Sequence, residues 1–158
     1  MIILGIDPGY DRLGVALIKK EHGGKEELVL SDCFVSNRKN DLSKRLLELG
    51  NRLENLIKEH RPDELALEKL FFSVNQKTAL QVAEAKGLVS YLAGKYNLTV
   101  YEYSPAEIKM TITGSGNANK NQISEMVPRL IKIGKKVDFD DEYDAIAIAL
   151  THLAIKHY

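Results

Sequence analysis

Four acidic residues, Asp7, Glu68, Asp141 and Asp144, stand where the sequence could do chemistry. Asp7 ends a short aliphatic run, Ile2, Ile3, Leu4 and Ile6, bounded by Pro8 and Gly9. Such a run reads as a strand buried on both faces at the middle of a sheet. A carboxylate there is costly to bury without a cation or a hydrogen-bond partner. Glu68 sits near the end of a second aliphatic run, residues 64–70. Asp141 and Asp144 are three apart at the start of the last helix and share a face. Plainer roles exist: Asp7 can open the Pro-Gly turn, and Asp140 or Asp141 can cap the helix and suit its dipole. Asp144 is harder to explain that way, because residues 145–150 are apolar almost all round and commit the helix to the interior.

If the two strands are parallel neighbours, Asp7 and Glu68 meet at one sheet edge, where α/β folds place their sites. Converging carboxylates raise one another's pKa values, and a divalent cation removes that cost. An all-oxygen donor set suits Mg²⁺ or Mn²⁺ rather than zinc. Two such ions, about 3.5–4 Å apart, clamp a phosphodiester, one activating water and the other stabilising the leaving oxygen. No protein nucleophile is then required.

The elements that must position these acids follow from periodicity. Residues 11–18 read as a second strand and 27–36 as a third, in an antiparallel meander with an exposed tip around residues 22–27. Residues 41–59 read as an amphipathic helix, with Leu42, Leu46, Leu49, Leu53, Leu56 and Ile57 at helical spacing and Asn40 or Asp41 as N-cap. A long helix is predicted over 75–96, with Leu80, Ala83, Gly87, Leu88, Tyr91 and Leu92 along one side. A fifth strand follows at 98–103, and Ser104-Pro105 opens a short helical turn. Residues 113–119 form a polar loop, a helix runs from Asn119 or Lys120 towards Val127, and Pro128 kinks or restarts it. An acidic turn at 138–141 precedes the last helix, predicted over 141–155. This order describes one domain, a mixed α/β sheet with helices on its faces.

Composition bounds the rest. The 158 residues include 44% apolar and 28% charged side chains, as in a globular protein with its own core. Met1 leads straight into a strand, so no signal peptide is expected, and no apolar run is long enough to span a bilayer. The single Cys33 fits a reducing, cytoplasmic setting as a small buried hydrophobe. Twenty-two bases balance 22 acids, which argues against a whole-surface nucleic-acid binder. Between Lys109 and Lys136, however, six bases face one acid, Glu125. That stretch is either a local basic patch or a solvated face.

Four blocks, Gly5-Ile-Asp-Pro-Gly9, Leu67-Glu-Lys-Leu-Phe71, Gln81-Val-Ala-Glu-Ala-Lys-Gly87 and Asp141-Glu-Tyr-Asp-Ala-Ile-Ala-Ile-Ala149, closely resemble the RuvC family of Holliday-junction resolvases. The likeness covers nearly the whole chain, in order. It implies an RNase H-like fold, a five-stranded mixed sheet flanked by helices on both faces, as a single nuclease domain over 1–158. It further implies a homodimer that cuts four-way DNA junctions with paired symmetric nicks in recombination and repair, leaving 5′-phosphate and 3′-hydroxyl ends. The family's four metal-site positions fall on Asp7, Glu68, Asp141 and Asp144, with two Mg²⁺ per site and Mn²⁺ as substitute. Phe71 falls on an aromatic position near junction bases, where stacking is worth about 1–3 kcal/mol. Phe72 reads as core. Lys109 and Lys120 fall on basic positions near DNA, and the likeness implies a branch-migration helicase complex as partner. The loop at 114–119 enters a helix N-terminus and could also face a phosphate.

Three rivals differ in class. An actin-like or sugar-kinase-like site also opens with Gly-Ile-Asp-x-Gly but needs a second lobe. A non-catalytic relative would bind junctions without nicking them. An RNase H-like nuclease for another nucleic acid would cut a linear duplex or an RNA–DNA hybrid instead. For the dimer, Ala79, Val82 and Val89 lie beyond the apolar stripe of the long helix and either serve as an interface or pack within the monomer.

Overall fold

The computed structural model describes residues 1–69 and 76–156. Strands β1 (Ile2–Asp7), β2 (Arg12–Lys20) and β3 (Glu26–Val35) form the antiparallel meander. Helix α1 (Leu42–His60) leads to β4 (Glu64–Glu68), and α2 (Gln76–Lys95) leads to β5 (Thr99–Tyr103). Helices α3 (Pro105–Thr113), α4 (Lys120–Leu130) and α5 (Asp140–Lys156) complete the chain. The sheet order is β3-β2-β1-β4-β5, with β1, β4 and β5 parallel.

Strand alternation decides which face each side chain meets. Leu4 and Ile6 of β1, and Leu65 and Leu67 of β4, pack under α1 and α2. Ile3 and Ala66 face the opposite core, built with Ile146, Ile148 and Leu153 of α5 and with residues of α3 and α4. By the same parity Asp7, Glu64 and Glu68 point to the α5 side. Ile6 pairs with Leu67 in the parallel register, so Asp7 and Glu68 are the next residues on neighbouring strands.

Helix α5 lies unusually close to the sheet. A Cβ at Gly5 would stand 2.3 Å from the carbonyl oxygen of Ala145, and one at Gly14 would stand 2.1 Å from that of Asp141. Only the two glycines allow main chain to rest on main chain there.

Some elements differ from expectation. The turn after Ser104 is a nine-residue helix. Ser104 Oγ accepts from the Glu107 N–H at 3.2 Å and the Ser104 N–H donates to Glu107 Oε2 at 2.7 Å, a full capping box. Pro128 neither restarts nor sharply breaks α4, which simply ends two residues later at Leu130. Asp41 is the N-cap residue of α1, but its side chain makes no capping bond. On α2 the inward residues are Ala85, Val89, Leu92 and Ala93, while Leu80 and Tyr91 are exposed. Val89 therefore packs within the monomer, one of the two roles open to it, and the expected stripe is split: Leu92 is buried and Leu88 packs against the core, while Leu80 and Tyr91 face outwards. Apolar residues surround most of α2, so spacing alone cannot choose its buried side. The small Ala85 and Ala93 let the helix approach the sheet where bulkier residues would hold it off.

Candidate active site

Asp7 arrives at the sheet edge because the buried strand β1 ends there, and the parallel register delivers Glu68 beside it. Helix α5 begins over the same edge and brings Asp144 down at the start of its second turn. Together Asp7, Glu68 and Asp144 line a cavity of about 270 Å³, and Lys109 from α3 and Lys120 from α4 belong to the same lining. Ile108, Ile123 and Ile148 form its apolar floor and sides. Lys120 Nζ stands 3.4 Å from Asp144 Oδ2 and 3.3 Å from Asp140 Oδ2.

The electrostatics are those of crowded, dehydrated acids. Burial, and then Asp144, Glu68 and Asp141, push the Asp7 carboxyl up to about 8, with Lys120 opposing. Glu68 is raised by burial and by Asp144, against the pull of Lys120, Lys109 and Lys86. Asp144 is raised by burial, which outweighs Lys120. Asp141 is also raised by burial, partly countered by a backbone hydrogen bond and by Arg12. Its Oδ2 is shut from solvent and accepts no hydrogen bond among the described residues.

These acids ring a cavity and do not meet at a point. Among the described residues no group of three His, Cys, Asp or Glu side chains stands ready, as placed, to hold an ion. The case for a cation rests on charge and donor type: a set of oxygen donors, and a carboxyl forced towards its neutral form by burial and then by its acidic neighbours. A hard divalent cation fits each of these.

Of the expected site residues, Asp7, Glu68, Asp144, Lys109 and Lys120 are brought together. Asp141 stands beside the cavity, close enough to act on the charge of Asp7. Phe71 and Phe72 lie outside the described residues. At the α4 N-terminus a capping box between Asn119 and Gln122 already takes two backbone N–H groups, which leaves less for a phosphate. The sequence reading missed Arg12, whose Nε lies 3.1 Å from Asp141 Oδ2. The available signal was its place at the start of the strand paired with the one that ends in Asp7.

The sheet order, the helices on both faces and the acidic cavity at the strand ends define an RNase H-like fold. A family model for "Crossover junction endodeoxyribonuclease RuvC" matches residues 3–152. A protein of that name from Petrotoga mobilis is 42% identical over 152 residues, covering 96% of this chain and 93% of the relative. Another of that name, from Brachyspira hyodysenteriae, is 41% identical with the same coverage. Among solved structures, Thermus thermophilus RuvC in complex with a Holliday junction substrate superposes with a TM-score of 0.90 at 28% identity, covering 99% of this chain and 94% of that one. The chain belongs to the RuvC family of crossover junction endodeoxyribonucleases.

Proposed function

We propose that this protein is a metal-dependent endonuclease that resolves four-way DNA junctions by paired, symmetric hydrolytic nicks. Membership of the family supports the reaction, and one observation carries the site: the cavity at the ends of β1 and β4, where Asp7 is pushed up to about 8 by burial and three neighbouring carboxylates. Asp7, Glu68, Asp141 and Asp144 are the residues that would hold divalent cations; Mg²⁺ is the choice their oxygen donors favour, and two per site is what the family likeness implies. Bound there, such ions supply an activated water and stabilise the leaving 3′ oxygen. Lys109 and Lys120 line the same cavity and offer positive charge to a phosphate entering it. Arg129 and Lys132 are exposed bases in and just after α4, while Lys135 and Lys136 are paired with Glu142 and Asp138; binding through such local charge should weaken as salt rises.

Two symmetric cuts call for two sites, and the second is assigned to another copy of the chain. Leu80 and Tyr91 of α2 and Leu47 of α1 are 64%, 63% and 61% exposed and form an apolar outer face suited to that copy. Replacing Leu80 and Tyr91 with Glu should yield monomers by light scattering. A branch-migration helicase complex is the further partner that the family implies. No helix among the described residues is long and apolar enough to cross a membrane.

The deciding experiment is a nicking assay on a mobile four-way junction with and without Mg²⁺, with mapped ends, beside a linear duplex and an RNA–DNA hybrid. Asp141→Asn should lose cleavage and keep junction binding. Lost binding with intact turnover of the bound complex would contradict the assignment, and preferential cutting of the hybrid would favour a related nuclease of different substrate.

A further inference from the structure

The four carboxylates are not held alike. Asp7, Glu68 and Asp144 face the cavity, while Asp141 stands beside it, its side chain only 15% exposed. Two residues of β2 touch Asp141. The Arg12 guanidinium places Nε 3.1 Å from Asp141 Oδ2, reaches Asp140 Oδ1 at 3.7 Å and lies over the Phe139 ring, 5.3 Å from its centroid. Gly14 offers the carbonyl of Asp141 a surface without a Cβ, and Gly14 is paired with Asp7 in the β1–β2 register. One three-residue stretch therefore contacts Asp141 at its side chain and at its main chain, and is hydrogen-bonded to the strand end that carries Asp7.

We propose that Arg12 is a positioning residue: with Gly14 seating the backbone, it turns the Asp141 carboxylate towards the metal site and holds it there. This rests on the reading of the four carboxylates as metal ligands. A guanidinium in this place has two other uses, to bind a DNA phosphate or to compete with the cation. Its planar group is engaged with Phe139, Asp140 and Asp141, which leaves it poorly placed for an incoming phosphate. Lys120 is also ion-paired, with Asp140 and Asp144, but its side chain is 74% exposed against 36% for Arg12, so it is the better placed of the two to meet DNA. Competition would require Arg12 to enter the cavity, and it is not among the lining residues.

The test uses the full chain with Arg12→Gln and Arg12→Lys. Mn²⁺ binding without DNA is followed by electron paramagnetic resonance, junction affinity by gel shift in chelator, and the Mg²⁺ concentration for half-maximal nicking by assay. Groups that orient a metal ligand are worth about 10- to 100-fold in metal affinity or activity. Arg12→Gln should therefore weaken Mn²⁺ binding and raise the Mg²⁺ requirement about tenfold or more, with junction affinity unchanged. Arg12→Lys should recover part of the loss, because it restores the charge without the planar group. Thermal unfolding of both variants should stay near that of the parent. Tighter Mn²⁺ binding in Arg12→Gln would make the guanidinium a competitor and overturn the proposal. Unchanged metal binding, with or without weaker junction binding, would overturn it too. A parent protein that binds no Mn²⁺ would instead remove the metal reading beneath it.

Discussion

Strand β4 carries a glutamate at each end, and the two ends have been built for opposite purposes. Glu64 meets His152 Nε2 at 2.7 Å, and His152 Nδ1 meets the Tyr103 hydroxyl at 2.7 Å. The partners settle the tautomer: Nε2–H donates to the carboxylate and Nδ1 accepts from the tyrosine. Glu68, four residues on, faces Asp7 and Asp144 across a cavity. Helix α5 runs antiparallel to β4 and serves both ends. Asp144 and His152 are eight residues apart, about 12 Å of helix. Glu64 and Glu68 span about 13 Å of strand. The matched lengths give one end mutual hydrogen bonds and the other mutual repulsion. The lesson is that burial of a carboxylate says little until its partners are known: near-identical strand positions give a structural tie and a candidate reaction centre.

The comparison can be broken from either end. Asp7→Asn should have the largest effect, a loss of nicking of roughly 100- to 1000-fold. The same change should stabilise the metal-free protein, because it removes a buried, repelled carboxylate. For a chain of this size each kcal/mol gained raises the melting temperature by about 2–4 °C, so calorimetry without metal reads the gain. Glu64→Ala should do the reverse. It removes hydrogen bonds to a charged group, costs about 1.5–3 kcal/mol, and leaves cleavage per folded molecule close to the parent. Loss of activity without loss of stability in Glu64→Ala would contradict the division of labour.

The two ends should also titrate in opposite senses. Asp7 has a folded pKa raised from 3.8 to about 8, so the folded state holds a proton that the unfolded state has released. Metal-free stability should then fall as pH rises from about 4 to about 8, and Mg²⁺ or Asp7→Asn should flatten that slope. His152 is lowered from 6.5 by burial, against the pull of Glu64. Its contribution is present above pH 6.5 and is lost as pH falls below it. Denaturant titrations across pH, with and without Mg²⁺, separate the two. The smallest effect should come from Tyr103→Phe, which deletes one neutral hydrogen bond, costs about 1 kcal/mol and leaves nicking unchanged.

Much of this contrast was legible in the chain. The aliphatic run before Asp7, the acids three apart at the head of α5 and the apolar residues behind them led directly to a sheet edge with converging carboxylates. Glu64, His152 and Tyr103 were not legible as a group, because they lie 39 and 49 residues apart in sequence and meet only through the sheet order. Arg12 was hidden for the same reason: its partner is fixed by which strand lies under α5. The inward face of α2 was read only in part, Leu88 and Leu92 correctly and Leu80 and Tyr91 not, because its apolar residues run around most of the helix. The capping box at Ser104 and Glu107 was visible as Ser-x-x-Glu and shows that the α3 turn was underread rather than unreadable.

The glycines beneath α5 have a consequence for how the cleft meets its substrate. A helix resting main chain to main chain on a sheet cannot roll or slide without lifting away, and Gly5 and Gly14 leave no slack for either. The wall that carries Asp144 is thus an anvil. Any accommodation to the shape of a bent or branched duplex falls to α3 and α4, which present long, pliable lysines.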